Sequence, residues 1–247
     1  MKEQLVIKKL RYKDIFQDFY LTIYTNTINF LSGPNSCGKT TLCRILNKEI
    51  KNYTGFINDL DNIGLISDKI EFVSDNIEDE ILFVCDNNAV KARTRKEKVN
   101  SLCKKYSLNK HQQLKDITFL EQLKVLIALE EVKKTKVLLM DNILEKLTPE
   151  EVKELMTLLK KTKKDITIII SVHNLDYVLY GDYLHIINDK QIMFSDEVLK
   201  VLRNDSKLNK IGLKLPFIAD LSLKLKYYDL TPGIETSMNR LVRELWK

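Results

Sequence analysis

The sequence predicts an α/β protein organised around a phosphate-binding loop, and three observations carry that expectation. Residues 33–41 read Gly33-Pro34-Asn35-Ser36-Cys37-Gly38-Lys39-Thr40-Thr41, a complete G-x-x-x-x-G-K-[ST] pattern. Val137–Met140 and Ile166–Ile170 are continuous apolar runs of strand length, as central parallel strands covered on both faces require. From Ile77 to about Val132, apolar residues recur at helical spacing.

Taken in order, alternation in Leu5–Leu10 and in Phe19–Tyr24 predicts two partly exposed strands. Thr27–Leu31 is the strand that feeds the loop, and Leu42, Ile45 and Leu46 follow on a helix. In that setting the glycines let the backbone curl until its N–H groups and the helix N-terminus face an anion. Lys39 can then reach the β- and γ-phosphates of a nucleotide, and the Thr40 hydroxyl can ligate Mg²⁺. A glycine turn that merely carries a lysine is the bland alternative; it makes both motif and context coincidences. The chain binds a nucleoside triphosphate or descends from one that did.

Ile63–Ile66 is a short strand. Val99, Leu102, Cys103 and Tyr106 mark one helix, and Leu123, Leu126, Ile127 and Val132 another. Thr148-Pro149-Glu150-Glu151 starts a helix with a capping hydroxyl, a proline in the first turn and acids near the positive end. After Arg203 the character changes. Pro216–Leu225 and Ser237–Trp246 read as two short amphipathic helices, broken at Thr231-Pro232-Gly233.

The bulk numbers narrow the class. A chain of 247 residues with 44% apolar content holds one large domain and a small appendage. Its 40 Lys and Arg against 34 Asp and Glu leave +6, but these bases do not interleave with aromatics, so no nucleic-acid partner is expected. The basic run Lys91–Lys98 reads as the solvated face of a helix. Four cysteines (37, 43, 85, 103) without C-x-x-C spacing are expected as reduced thiols in a cytosolic protein. The N-terminus opens directly into a strand, and no run approaches the roughly 18 apolar residues of a membrane span. A soluble intracellular protein is expected.

Two strand ends carry chemistry. Asp141 closes the Val137–Met140 run, where a carboxylate can hold the Mg²⁺ shell. His173 follows the second run. Many buried strands end in Asp, and a His in such a place is more often a packing or capping residue than a catalytic one.

Loop, Asp141 and His173, in this order, resemble the ATPase domain of ABC transporters, with its Walker A, Walker B and switch histidine. The tail narrows the likeness. Ile211–Phe217, the Leu-rich helix behind it and Leu241–Lys247 resemble the C-terminal segment of energy-coupling factor (ECF) ATPases, the motor subunits of vitamin and metal-ion importers. Phe72–Glu80 is also similar to that subfamily. The resemblance implies a P-loop NTPase of ABC type: a mixed sheet with an antiparallel β subdomain, a helical subdomain at about 77–132 and a small C-terminal helical extension. The ATP-binding domain would span 1–205, and 206–247 would form the extension, a dimer contact. ATP and Mg²⁺ are the implied cofactors. Tyr12 falls where the family stacks an aromatic on adenine.

Departures from the family pattern are as informative. The catalytic Glu that follows the Walker B Asp is Asn142 here; an amide orients a water but cannot take its proton. The signature position reads Ile117-Thr118-Phe119-Leu120-Glu121. With seven glycines in the chain and none between Gly64 and Gly181, a Gly-Gly signature is absent. Asp68 stands at the Q-loop glutamine and is a further candidate metal ligand. The D-loop reads Glu145-Lys146-Leu147-Thr148 without its usual Asp, and Ser36 replaces a common Walker A glycine.

The resulting expectation is an ATP-binding subunit with impaired hydrolysis of its own. It would pair with a more complete paralogue at the cytoplasmic face of the membrane, docked on a transmembrane coupling protein and, through it, on a substrate-binding membrane subunit. A non-catalytic pseudo-ATPase scaffold and an ABC-type protein unrelated to transport are the competing classes.

Overall fold

A computed structural model describes residues 2–58 and 62–246. Strands β1 (Glu3–Tyr12) and β2 (Phe16–Tyr24) pair antiparallel and turn Leu5, Ile7, Leu10, Phe19, Leu21 and Ile23 inward, as their alternation requires. The fully buried β3 (Ile28–Ser32) leads through the phosphate loop into α1 (Lys39–Leu46). A short β4 (Thr54–Ile57) then joins β1, completing a three-stranded sheet in the order β2-β1-β4. β5 (Ile63–Ile66) precedes three helices, α2 (Ile77–Asn87), α3 (Ala92–Tyr106) and α4 (Phe119–Val132).

Next come β6 (Val137–Asp141), α5 (Pro149–Thr162) and β7 (Thr167–Ser171). β8 (Tyr183–Asn188) and β9 (Gln191–Glu197) complete the main sheet, whose order is β5-β6-β7-β3-β8-β9. Every neighbouring pair in it is parallel except β8–β9. The loop strand β3 therefore lies between β7 and β8 inside the sheet. Loops at the carboxyl ends of such strands are where open α/β sheets bind ligands.

Alternate residues of each central strand serve different cores. Leu31, Val137, Leu139 and Ile169 pack with α1 and the antiparallel sheet. Phe30, Leu138, Met140, Ile168 and Ile170 pack with the helices on the other side. Full burial of each such side chain contributes about 1.5–3 kcal/mol. The fold class stands as expected from sequence, and α2, α3 and α4 lie within residues 77–132. Three strands were not anticipated: β4, β8 and β9. The last short helices are α6 (Val198–Leu202), α7 (Asp205–Lys210), α8 (Phe217–Tyr227) and α9 (Met238–Leu245). The proposed boundary at 205/206 falls inside α7, and Leu208, Leu213 and Ala219 belong to the main core. All four cysteines are free, as expected. Among the described residues no helix is long and apolar enough to cross a membrane.

One buried polar network ties β3 to β8 and β9. His185, 1% exposed, places Nδ1 2.8 Å from Ser195 Oγ and Nε2 3.2 Å from Asn29 Oδ1. The Asn29 amide nitrogen donates to Thr27 Oγ1 (2.9 Å) and to the Ile168 carbonyl (3.2 Å), so its oxygen faces the ring. The ring is then protonated on Nε2, and Nδ1 accepts from Ser195. Burial lowers the His185 pKa to about 4. Between pH 6.5 and pH 4 the unfolded chain binds this proton and the folded chain does not, so stability is full above the unfolded value and falls as pH falls. Acidification across that window is expected to remove about 3 kcal/mol. Urea unfolding of wild type against His185→Gln from pH 7 to pH 4.5 checks it: the difference between the two should shrink on acidification.

Candidate nucleotide site

The loop owes its shape to two glycines. At Gly33 (φ 155°) an added Cβ would sit 2.2 Å from the Ile187 carbonyl oxygen of β8. At Gly38 (φ 103°), the N-cap of α1, it would strike Ile15 at 2.6 Å and the Phe16 ring at 2.8 Å. Ser36 also takes a left-handed conformation (φ 61°), which costs a non-glycine residue about 1–2 kcal/mol. The first N–H groups of α1 have no partner within the helix and open onto the cleft above the loop.

Residues 36–41 line that cleft together with Ile15, Asn142 and His173. Lys39 is buried, and its ammonium donates to the Gly33 carbonyl (2.8 Å) and the Pro34 carbonyl (3.2 Å), with Cys37 Sγ at 3.7 Å. Among the described residues no carboxylate pairs with it. A buried cation held by carbonyl dipoles and a thiol rather than by a carboxylate is poised for an anion. Beneath the loop, burial and then the Asp141 charge push the Cys43 thiol far up, so it is inert.

Asp141 ends β6 in register with Ser171 on β7, and Asn142 follows it. The Ser171 hydroxyl donates to Asp141 Oδ1, and the Asn142 N–H donates to Ser171 Oγ at 3.0 Å. Asn142 itself has φ 54°, a conformation Asn tolerates better than most residues. The Asp141 carboxylate is buried behind the cleft rather than lining it.

Two candidates sit elsewhere. Tyr12 is only 8% exposed, joins the core under the antiparallel sheet and carries the Lys13 ammonium 5.3 Å from its ring centre; Ile15 supplies the apolar wall of the cleft instead. Asp68 is exposed and pairs with Lys146 at 3.3 Å, outside the cleft lining. Of the remaining loop candidates, Gly33 and Pro34 act through their carbonyls and Asn35 is exposed. Among the described residues no group of three or more His, Cys, Asp or Glu could hold a metal ion by itself. Mg²⁺ needs no such cage: it keeps waters and phosphate oxygens and takes one or two protein oxygens. The Thr40 hydroxyl in the cleft and the Asp141 carboxylate behind it suit that hard-oxygen chemistry.

The family model for ABC transporters matches residues 16–145, more than half of the chain. The chain belongs to the ABC transporter family. As an ABC ATPase it belongs with enzymes whose ATP hydrolysis serves transport, and nucleotide binding comes with the family. Over its whole length this ABC chain is 25% identical to the energy-coupling factor transporter ATP-binding protein EcfA of Pediococcus pentosaceus, across 272 positions and 97% of that protein. It is 26% identical to EcfA1 of Listeria monocytogenes over 244 positions, covering 88% of this chain and 85% of that one. Among solved structures, cbiO1 of Clostridium perfringens, described as part of the ABC transporter complex cbiONQ, matches with a TM-score of 0.77 at 23% identity, over 90% of this chain and 99% of that one. An ABC transporter's ATP-binding cassette in its ADP conformation matches at 0.72 and 16% identity, over 86% of this chain and 98% of that one. These two likenesses show the fold.

In the segment that the sequence sets against the ABC signature, Thr118 caps α4 in a reciprocal capping box. Its Oγ1 accepts from the Glu121 N–H (3.3 Å), while Glu121 Oε2 accepts from the Thr118 N–H (2.8 Å) and hydroxyl (3.0 Å). The Lys146 ammonium lies 5.5 Å from the Phe119 ring centre. This helix start is occupied by the chain's own carboxylate and an aromatic. The Thr-x-x-Glu spacing carries this capping box in the sequence. Ser171 and Ile15 were missed: the first needs the β6–β7 register, the second the loop's folded path.

Proposed function

We propose that this chain is the ATP-binding subunit of an ECF-type importer of vitamins or metal ions, at the cytoplasmic face of the membrane. The observation that carries the reading is the meeting of the phosphate loop, Asn142 and His173 in one cleft, with a buried lysine at its base that pairs with no carboxylate among the described residues. The curated relatives named as ECF transporter ATP-binding proteins support the subfamily.

In this reading Lys39 and the first N–H groups of α1 take the β- and γ-phosphates. Thr40 and Asp141 would hold Mg²⁺, which when bound neutralises phosphate charge. His173 contacts the γ-phosphate. Asn142 can orient the attacking water but its amide cannot take the proton as a carboxylate there would, which lowers turnover by about 10²–10⁴. At the start of α4 the Glu121 carboxylate repels a phosphate offered by another subunit. A productive site therefore calls for a second, more complete ABC ATPase, together with a transmembrane coupling protein. The transported substrate is chosen by a separate membrane subunit, and nucleic acid has no part.

Calorimetric titration of the purified chain with MgATP, alongside a phosphate-release assay, tests this. Binding with negligible turnover is expected. Absence of binding would leave a pseudo-ATPase scaffold; rapid turnover would overturn the assignment of Asn142 as a defect.

A further inference from the structure

The turn that follows β6 does more than connect it to α5. Ile143, Leu144 and Leu147 are buried, and they pin the single 3-10 turn Leu144–Lys146 between them. The two exposed side chains of that turn point to different neighbours. Lys146 reaches Asp68, beyond β5, and the Phe119 ring. Glu145 reaches the loop beyond β7: its Oε1 accepts from the His173 N–H at 3.0 Å, and its Oε2 lies 3.9 Å from His173 Nε2. One carboxylate thus faces both the backbone and the ring of His173.

The cleft side of this arrangement matters. His173 lines the cleft and Glu145 does not, so the carboxylate acts from behind the histidine. A backbone hydrogen bond fixes where the residue sits. The second oxygen lies beside the ring, 3.9 Å from Nε2 and beyond hydrogen-bond range. Charge-assisted hydrogen bonds of this kind are stronger than neutral ones and orient better. Both side chains are partly exposed (42% and 37%), so the pair contributes little to folding. Its consequence lies in geometry.

The geometry points to Glu145 as a positioning residue for His173, holding the histidine toward the terminal phosphate of a bound nucleoside triphosphate. The inference rests on reading His173 as the γ-phosphate contact. Asn142 makes the role more consequential, because Glu145 then supplies the carboxylate that holds the cleft's histidine wall.

MgATP and MgADP affinities of the full chain provide the test, since they need no turnover. Wild type is compared with Glu145→Ala, Glu145→Gln, His173→Ala and the Glu145→Ala/His173→Ala double variant, with thermal midpoints as the folding control. Glu145→Ala is expected to lower the ATP-to-ADP affinity ratio about tenfold, as His173→Ala does. The double variant should fall no further, because the two residues act as one unit. Glu145→Gln should recover most of the loss, since its amide oxygen still accepts from the His173 N–H. A ratio unchanged in Glu145→Ala but lowered in His173→Ala overturns the positioning role. A ratio unchanged in both overturns the reading of His173 and the inference with it. Failure of wild type to bind MgATP overturns the nucleotide site as a whole.

Discussion

Lys39→Ala is expected to weaken MgATP binding by at least about 100-fold while leaving the chain folded. The lysine is 5% exposed, and among the described residues its ammonium has the Gly33 and Pro34 carbonyls, at 2.8 and 3.2 Å, as its oxygen partners. When phosphates arrive, those dipoles are exchanged for full negative charges at the same depth. Hydrogen bonds to charged groups contribute about 1.5–3 kcal/mol each, and loss of two exceeds the 2.8 kcal/mol or so that corresponds to 100-fold. Alanine also removes a buried cation, so the unliganded protein should keep its thermal midpoint within a few degrees. Calorimetry with MgATP measures the first effect and a thermal melt the second. Binding unchanged by the substitution would place the nucleotide elsewhere.

Asn142→Glu is expected to raise ATP turnover by about 10²-fold, the lower end of what a general base supplies. The position lines the cleft, directly after the buried Asp141, and its N–H is fixed by Ser171 Oγ at 3.0 Å. A carboxylate there could take the proton that the amide leaves on the attacking water. Two costs accompany the gain. Glutamate at φ 54° is strained by about 1–2 kcal/mol, and a second negative charge lies beside Asp141. A lower thermal midpoint with faster phosphate release is therefore the expected pair of results. If the midpoint falls and turnover does not rise, the limiting defect lies at the start of α4, where Glu121 closes the helix on itself.

What could be read from the sequence was what depends on local pattern. The loop motif, the continuous apolar runs of β6 and β7, and the Thr148-Pro149 helix start are all set by near neighbours; Thr148 indeed caps α5 in a full capping box. β8 escaped because His185 interrupts its apolar run, and burial of that histidine depends on Asn29, 156 positions away. β9 escaped because it is an edge strand with little buried surface. The site was legible as a list of residues but not as a geometry. Nothing local distinguishes Tyr12, sealed under a sheet, from Ile15, which lines the cleft. Nor does spacing show that Glu145, 28 positions before His173, holds its N–H.

The place of β3 inside the main sheet has a consequence for how the protein is made. Its partners are far along the chain: Asn29 bonds the Ile168 carbonyl 139 positions on, and the Ile28 N–H bonds Asp182 154 positions on. Gly33 takes its place against Ile187 of β8. At a synthesis rate of about 5–20 residues per second, the loop strand leaves the ribosome roughly seven to thirty seconds before the strands that flank it. A nascent chain holding the entire phosphate motif is for that interval unable to shape it, so competence for nucleotide is acquired only once β7 and β8 have emerged.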